Sequence, residues 1–111
     1  MKLKQYKKAL DLFREYYTKK VVEFQKQLGG TDEIPKWSDD EMESIAKAAG
    51  SSLFYFLDEN NIFISIMYNK EKEFTYDLVC GIASSVSEPI NNRINCEFAA
   101  IEEGFKILNE K

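Results

Sequence analysis

Apolar side chains recur along the first thirty residues at Leu3, Tyr6, Leu10, Phe13, Tyr17, Val21, Phe24 and Leu28. Steps of three and four place these positions on one face of a 3.6-residue period, which predicts a helix over about 3–28. Gly29 and Gly30 follow as its stop signal. The basic residues Lys2, Lys4, Lys7, Lys8, Arg14, Lys19, Lys20 and Lys26 fall mostly off the stripe. A stripe of this length can pack on the body of its own chain or on a second copy of itself, so a homodimer through the 3–28 helix is one expectation.

Further along, the pattern changes twice. The stretch TDEIPKW reads as a linker, because Pro35 disfavours a helical residue before it. SDDE then supplies a helix start, with Ser38 as N-cap, Glu41 closing a capping box, and Asp39 and Asp40 at the positive end of the helix dipole. Met42, Ile45, Ala49, Leu53 and Phe56 continue an apolar face, predicting a helix over about 39–58 with a weak spot at Gly50-Ser51-Ser52. IFISIMY and EFTYDLVCGI, separated by NKEK, are rich in β-branched and aromatic residues and alternate, which predicts an antiparallel hairpin over about 62–82. Its second face, with Phe63, Met67 and Val79, is apolar enough to expect a cover, and ASSV extends the second strand or adds a short third one.

The last helix is marked by Ile94, Phe98, Ile101, Phe105 and Leu108, with a ridge of small residues at Cys96, Ala100 and Gly104 where a neighbour can approach closely. Its start is expected at Ser87 with Glu88 and Pro89 in the first turn, the alternative being a shorter helix capped by Asn91 or Asn92. The helix therefore runs from about 88 or 92 to 109. These elements predict an α+β fold with two N-terminal helices, a small antiparallel sheet of two or three strands, and a C-terminal helix packed on it. The 111 residues are expected to form a single domain, with a core that needs no metal or disulfide.

Charge changes this picture more than composition does. Residues 1–30 carry eight Lys or Arg against three Asp or Glu, a net of +5, while residues 31–111 carry seven against sixteen, a net of −9. The acidic body disfavours broad contact with nucleic acid or an anionic membrane, and nucleic-acid binding through the basic N-terminal helix stands as an alternative. No apolar run is long enough for a membrane span, and MKLKQYKKAL lacks the apolar region of a signal peptide. Two cysteines without an export signal fit free thiols in the cytoplasm. The chain has no histidine, which removes the commonest general base and soft-metal ligand.

Candidate chemistry is correspondingly sparse. Cys80 and Cys96 are sixteen residues apart, outside the paired spacing of zinc sites, and read as small buried residues. There is no glycine-rich phosphate loop, nucleophile elbow or calcium-loop pattern, and no cofactor is expected. Glu97 falls near the apolar side of the last helix and, with Asp77 on a strand, could form a divalent-metal pair.

The hairpin followed by EPINNRINCEFAAIEEGFKIL resembles the second and third strands and first helix of the ribonuclease H family. The resemblance implies that Glu97 matches the glutamate holding a catalytic magnesium ion, and that Asn92 or Asn95 matches substrate-contacting asparagines. It covers about 45 residues, and its arginine-to-glutamate spacing differs by two. The family also needs aspartates on a strand before the hairpin and on one after the helix. Here the preceding segment reads as helix and no strand follows, so a magnesium-dependent or degenerate ribonuclease-H-like domain is an alternative only.

The leading expectation is a non-enzymatic, cytoplasmic, protein-binding module of the inhibitor, immunity-like or adaptor type. Its acidic residues Asp39, Asp40, Glu41, Glu43, Asp58, Glu59, Glu71 and Glu73 would meet a basic protein partner by charge complementarity, with Trp37 as an aromatic anchor. A second polar stretch, Asn91, Asn92, Arg93 and Asn95 with Glu97, faces a ligand or caps a helix.

Overall fold

The computed structural model describes residues 1–30 and 33–111, so Thr31 and Asp32 of the expected linker lie outside the described residues. Its elements are α1 (Lys7–Gln27), α2 (Asp39–Ala49), a 3₁₀ turn (Gly50–Ser52), α3 (Leu53–Glu59), β1 (Ile62–Tyr68), β2 (Phe74–Cys80), β3 (Ala83–Val86) and α4 (Arg93–Glu110). The fold is α+β, with helices before and after a three-stranded antiparallel sheet of order β1-β2-β3.

The helix expected from residue 3 begins at Lys7, with Tyr6 at the N-cap position and no cap from its own side chain. Asn109 of α4 replaces it: its side-chain oxygen accepts from the Lys8 amide at 2.9 Å and the Ala9 amide at 3.3 Å. Two of the unpaired N–H groups at the start of α1 are thereby satisfied from the far end of the chain. Residues before Lys7 form a strap with a turn at Lys4-Gln5, closed by the Tyr6 amide donating to Leu3 O at 2.9 Å, and Leu3 is fully buried.

The capping box at α2 is formed, with the Glu41 amide donating to Ser38 Oγ and the Ser38 amide to the Glu41 carboxylate. The single helix expected over 39–58 is interrupted at Gly50, where φ is +54° and ψ is −128°, a backbone state open in practice to glycine alone. The break re-aims the chain so that α3 places Phe56 and Leu57 in the core.

Strands β1 and β2 pair from Ile62–Cys80 to Tyr68–Phe74, and β3 joins β2 through the two-residue turn Gly81-Ile82. Gly81 has φ +64°, the positive value that a tight hairpin demands of its first turn residue. ASSV is thus a third strand. The chain then follows β2 further, as the Ser87 amide donates to Tyr76 O at 2.9 Å and Ile90 exchanges both backbone hydrogen bonds with Phe74. Ser87 Oγ accepts from the Tyr76 amide, so Ser87 is a sheet residue and not the expected cap. Asn92 caps α4, accepting from the Asn95 amide at 3.0 Å.

The core lies between the helices and one face of the sheet. Phe13, Phe56 and Phe105 meet at ring-centroid distances of 5.3–6.1 Å, with Ile62, Leu78, Ile101 and Leu108 around them. The small ridge of α4, Cys96, Ala100 and Gly104, is buried together with Ile101, Phe105 and Leu108 of the apolar stripe, whereas Ile94, expected in the core, is exposed. At Gly104 a Cβ would stand 2.8 Å from Leu57 Cδ1, so the glycine is what lets α3 and α4 pack this closely. The opposite sheet face, with Phe63, Met67 and Val79 expected to be covered, carries no helix, and Phe63 and Met67 are 49% and 42% exposed.

Candidate functional site

The acidic residues at the start of α2 face the basic N-terminal segment of their own chain. Asp39 accepts from Lys7 Nζ at 2.9 Å and from the Arg14 guanidinium. Asp40 pairs with Lys4 Nζ at 2.6 Å. Glu43 accepts from the Leu3 amide at 2.6 Å and the Lys4 amide at 3.0 Å, and Glu41 is spent on the capping box. Hydrogen bonds from Lys7, and next from Arg14, hold the Asp39 carboxyl below the usual carboxylate range, and the hydrogen bond to Asp40 raises Lys4. Asp39, Asp40 and Glu43 therefore strap Leu3, Lys4, Lys7 and Arg14 to α2. The other expected acidic residues lie apart from them. Asp58 and Glu59 close α3, and Glu71 and Glu73 sit in the hairpin loop, where Asn69 Oδ1 accepts from both their amides.

The Asn91–Glu97 stretch divides in the same way. Asn92 is the cap of α4, Asn91 and Asn95 are exposed, and Arg93 Nε pairs with Glu97 at 3.2 Å along the helix. The Glu97 side chain is 14% exposed and lines a groove of about 550 Å³ with Ser51, Tyr55, Asp58 and Ile64. Asp77 alternates with the core residue Leu78 on β2, so it points to the open face of the sheet, away from α4. Asp77 and Glu97 do not converge, and the expected divalent-metal pair is not formed. Cys80 and Cys96 are free thiols, and burial, with the neighbouring Glu97 charge, pushes the Cys96 thiol up. This is the setting of an inert cysteine.

A larger concavity lies elsewhere. Residues Ile34–Trp37 run beside α1 and leave a groove of about 850 Å³, lined on the helix side by Arg14, Thr18, Val22 and Lys26 and on the other by Ile34, Pro35 and Trp37. Arg14 sets the inner end, donating through Nε to Trp37 O at 3.2 Å while its other nitrogens hold Asp11 and Asp39. Trp37 is half-buried, its ring centroid 5.0 Å from that of Tyr17. Beyond Val21, which is half-buried, the apolar stripe of α1 continues without a cover. Phe24 and Leu28 are 60% and 72% exposed, and no residue of α1 after Phe13 is buried. Periodicity reveals this stripe, but nothing in the sequence marks where its burial stops.

No family model matches this chain, and no curated protein or solved structure is significantly similar to it. No helix among the described residues is long and apolar enough to cross a membrane.

Proposed function

We propose that the protein acts by protein–protein interaction, as a small module of the inhibitor, immunity-like or adaptor type, and that its contact surface is the distal half of α1 with the Ile34–Trp37 segment. The observation that supports this reading is the exposed end of the core stripe, Phe24 and Leu28, on the same stretch of α1 whose other face, with Thr18, Val22 and Lys26, lines the Trp37 groove. Exposed apolar patches of this kind, rimmed by polar residues, are characteristic of interaction sites. An aromatic held at the inner end of a groove suits the anchoring role that dominates interface energetics.

Charge defines the partner. Lys19 lies on the helix wall of the groove, Lys20 follows it, and Lys36 stands across from them. The matching partner is an apolar segment flanked by acidic side chains. This differs from the basic partner expected from the acidic residues of α2, which are occupied within the chain.

A photo-crosslinking side chain at position 24, expressed in the native cell, should give a discrete protein adduct. The adduct should be lost with Leu28→Asp and weakened with rising salt. Absence of an adduct, or the same adduct from position 55 on α3, would refute the reading.

A further inference from the structure

The outer edge of β1 carries a second, independent signal. In the β1–β2 hairpin the Asn69 amide donates to Glu73 O, which fixes the phase of the ladder. Residues 63, 65 and 67 spend their backbone groups on β2, and those of Ile62, Ile64, Ile66 and Tyr68 point outward. No strand pairs with this edge among the described residues. Exposed edges in soluble proteins are normally blunted by charge, proline or a bulge. IFISIMY has no charge and no proline, and its register with β2 is unbroken along all seven residues.

The sequence of this edge is close to self-complementary. About Ser65 it reads outward as Ile64 and Ile66, then Phe63 and Met67, then Ile62 and Tyr68. A two-fold axis through Ser65 would pair each residue with its counterpart on an identical antiparallel strand. Ile64 and Ile66, and Ile62 and Tyr68, would then form the hydrogen-bonded pairs, using the residues whose backbone groups point outward. Phe63 would lie opposite Met67 on the open face, where both are now exposed.

Charge is compatible at the ends. The same register brings Asp58 and Glu59, which close α3, beside the other copy's hairpin loop with Lys70 and Lys72. That loop also holds Glu71 and Glu73, so it is neutral as a whole. Two chains of net charge −4 would thus meet along an uncharged strand.

We propose that two copies of this chain pair antiparallel along β1 about Ser65, forming a continuous six-stranded sheet with all helices on one face. The pairing is isologous, as closed dimers require, and it uses none of the α1 surface.

The test is cysteine placement on the intact chain with disulfides mapped by mass spectrometry. Ser65→Cys should cross-link to itself under mild oxidation. Phe63→Cys and Met67→Cys should each fail alone and cross-link when mixed. Light scattering should give the dimer mass for the parent, and Ser65→Glu, which sets two carboxylates opposite each other with Asp77 of each copy beside them, should weaken association at least tenfold with unchanged circular dichroism. A monomer mass at all concentrations, cross-linking without this position dependence, or a Ser65→Glu dimer as tight as the parent would each overturn the proposal.

Discussion

The two halves of α1 share one pattern and have different fates. From Lys7 to Tyr17 the stripe presses Leu10 and Phe13 into the aromatic core, and Lys7 and Arg14 are tied to Asp39. From Thr18 to Gln27 the same azimuth passes a half-buried Val21 and leaves Phe24 exposed. The overhang shows in the dimensions: the molecule measures 50 × 28 × 24 Å, with a radius of gyration of 15.3 Å against about 13 Å for a compact chain of this length. Amphipathicity thus identifies a face that should be covered without saying by what. The proximal half is covered by its own chain, and the distal half stands exposed at Phe24 and Leu28.

Stability measurements break or sharpen this contrast. Phe13→Ala should cost about 3–5 kcal/mol in denaturant unfolding, because it opens a cavity between Phe56 and Phe105. Phe24→Ala should stay within about 0.5 kcal/mol. A large loss at Phe24 would mean that the distal half is already covered in solution. Gly104→Val should cost about 1–3 kcal/mol, since its side chain meets Leu57 in a filled interior. Asn109→Ala should cost about 1 kcal/mol by uncapping α1, and amide exchange should rise at Lys8 and Ala9 before it rises near Tyr17.

The smallest effect is a pH dependence confined to the proximal half. Asp39 titrates below its ordinary value of 3.8 because Lys7 and Arg14 donate to it. Its contribution is complete above that ordinary value and is lost as the pH falls through the depressed one. Between about pH 5 and pH 2, unfolding midpoints of the parent should fall more steeply than those of Asp39→Asn. Equal slopes would remove Asp39 from the strap.

Which features could be read from the chain follows from the range of the interactions behind them. The Ser38–Glu41 capping box spans four residues and the alternation of β1 and β2 spans seven, so both are written locally and both are found. Ser87 and Asn92 are each competent caps, and the choice between them falls to Phe74, whose backbone pairs with Ile90 and holds the chain extended past Ser87. The acidic run Asp39–Glu43 looks outward in sequence because its partners, Leu3, Lys4, Lys7 and Arg14, lie more than twenty residues away. Ile94 fits the α4 stripe but lies in the first turn, beyond the body that covers Ile101 and Phe105. The distal groove escaped because its two walls are separated by a turn, and neither is unusual alone.

One contact has a topological consequence. Asn109 caps α1, and Lys8 Nζ reaches the Lys111 carbonyl, so the first and last helices are held together at the two ends of the described chain. A linker from Lys111 back along α4 to Met1, whose amine lies at Glu102, with a new opening at the exposed Gly81-Ile82 turn, would reorder the elements while leaving the aromatic core intact. Such a circular permutant would present the distal helix from the middle of the polypeptide, with both of its flanks tethered.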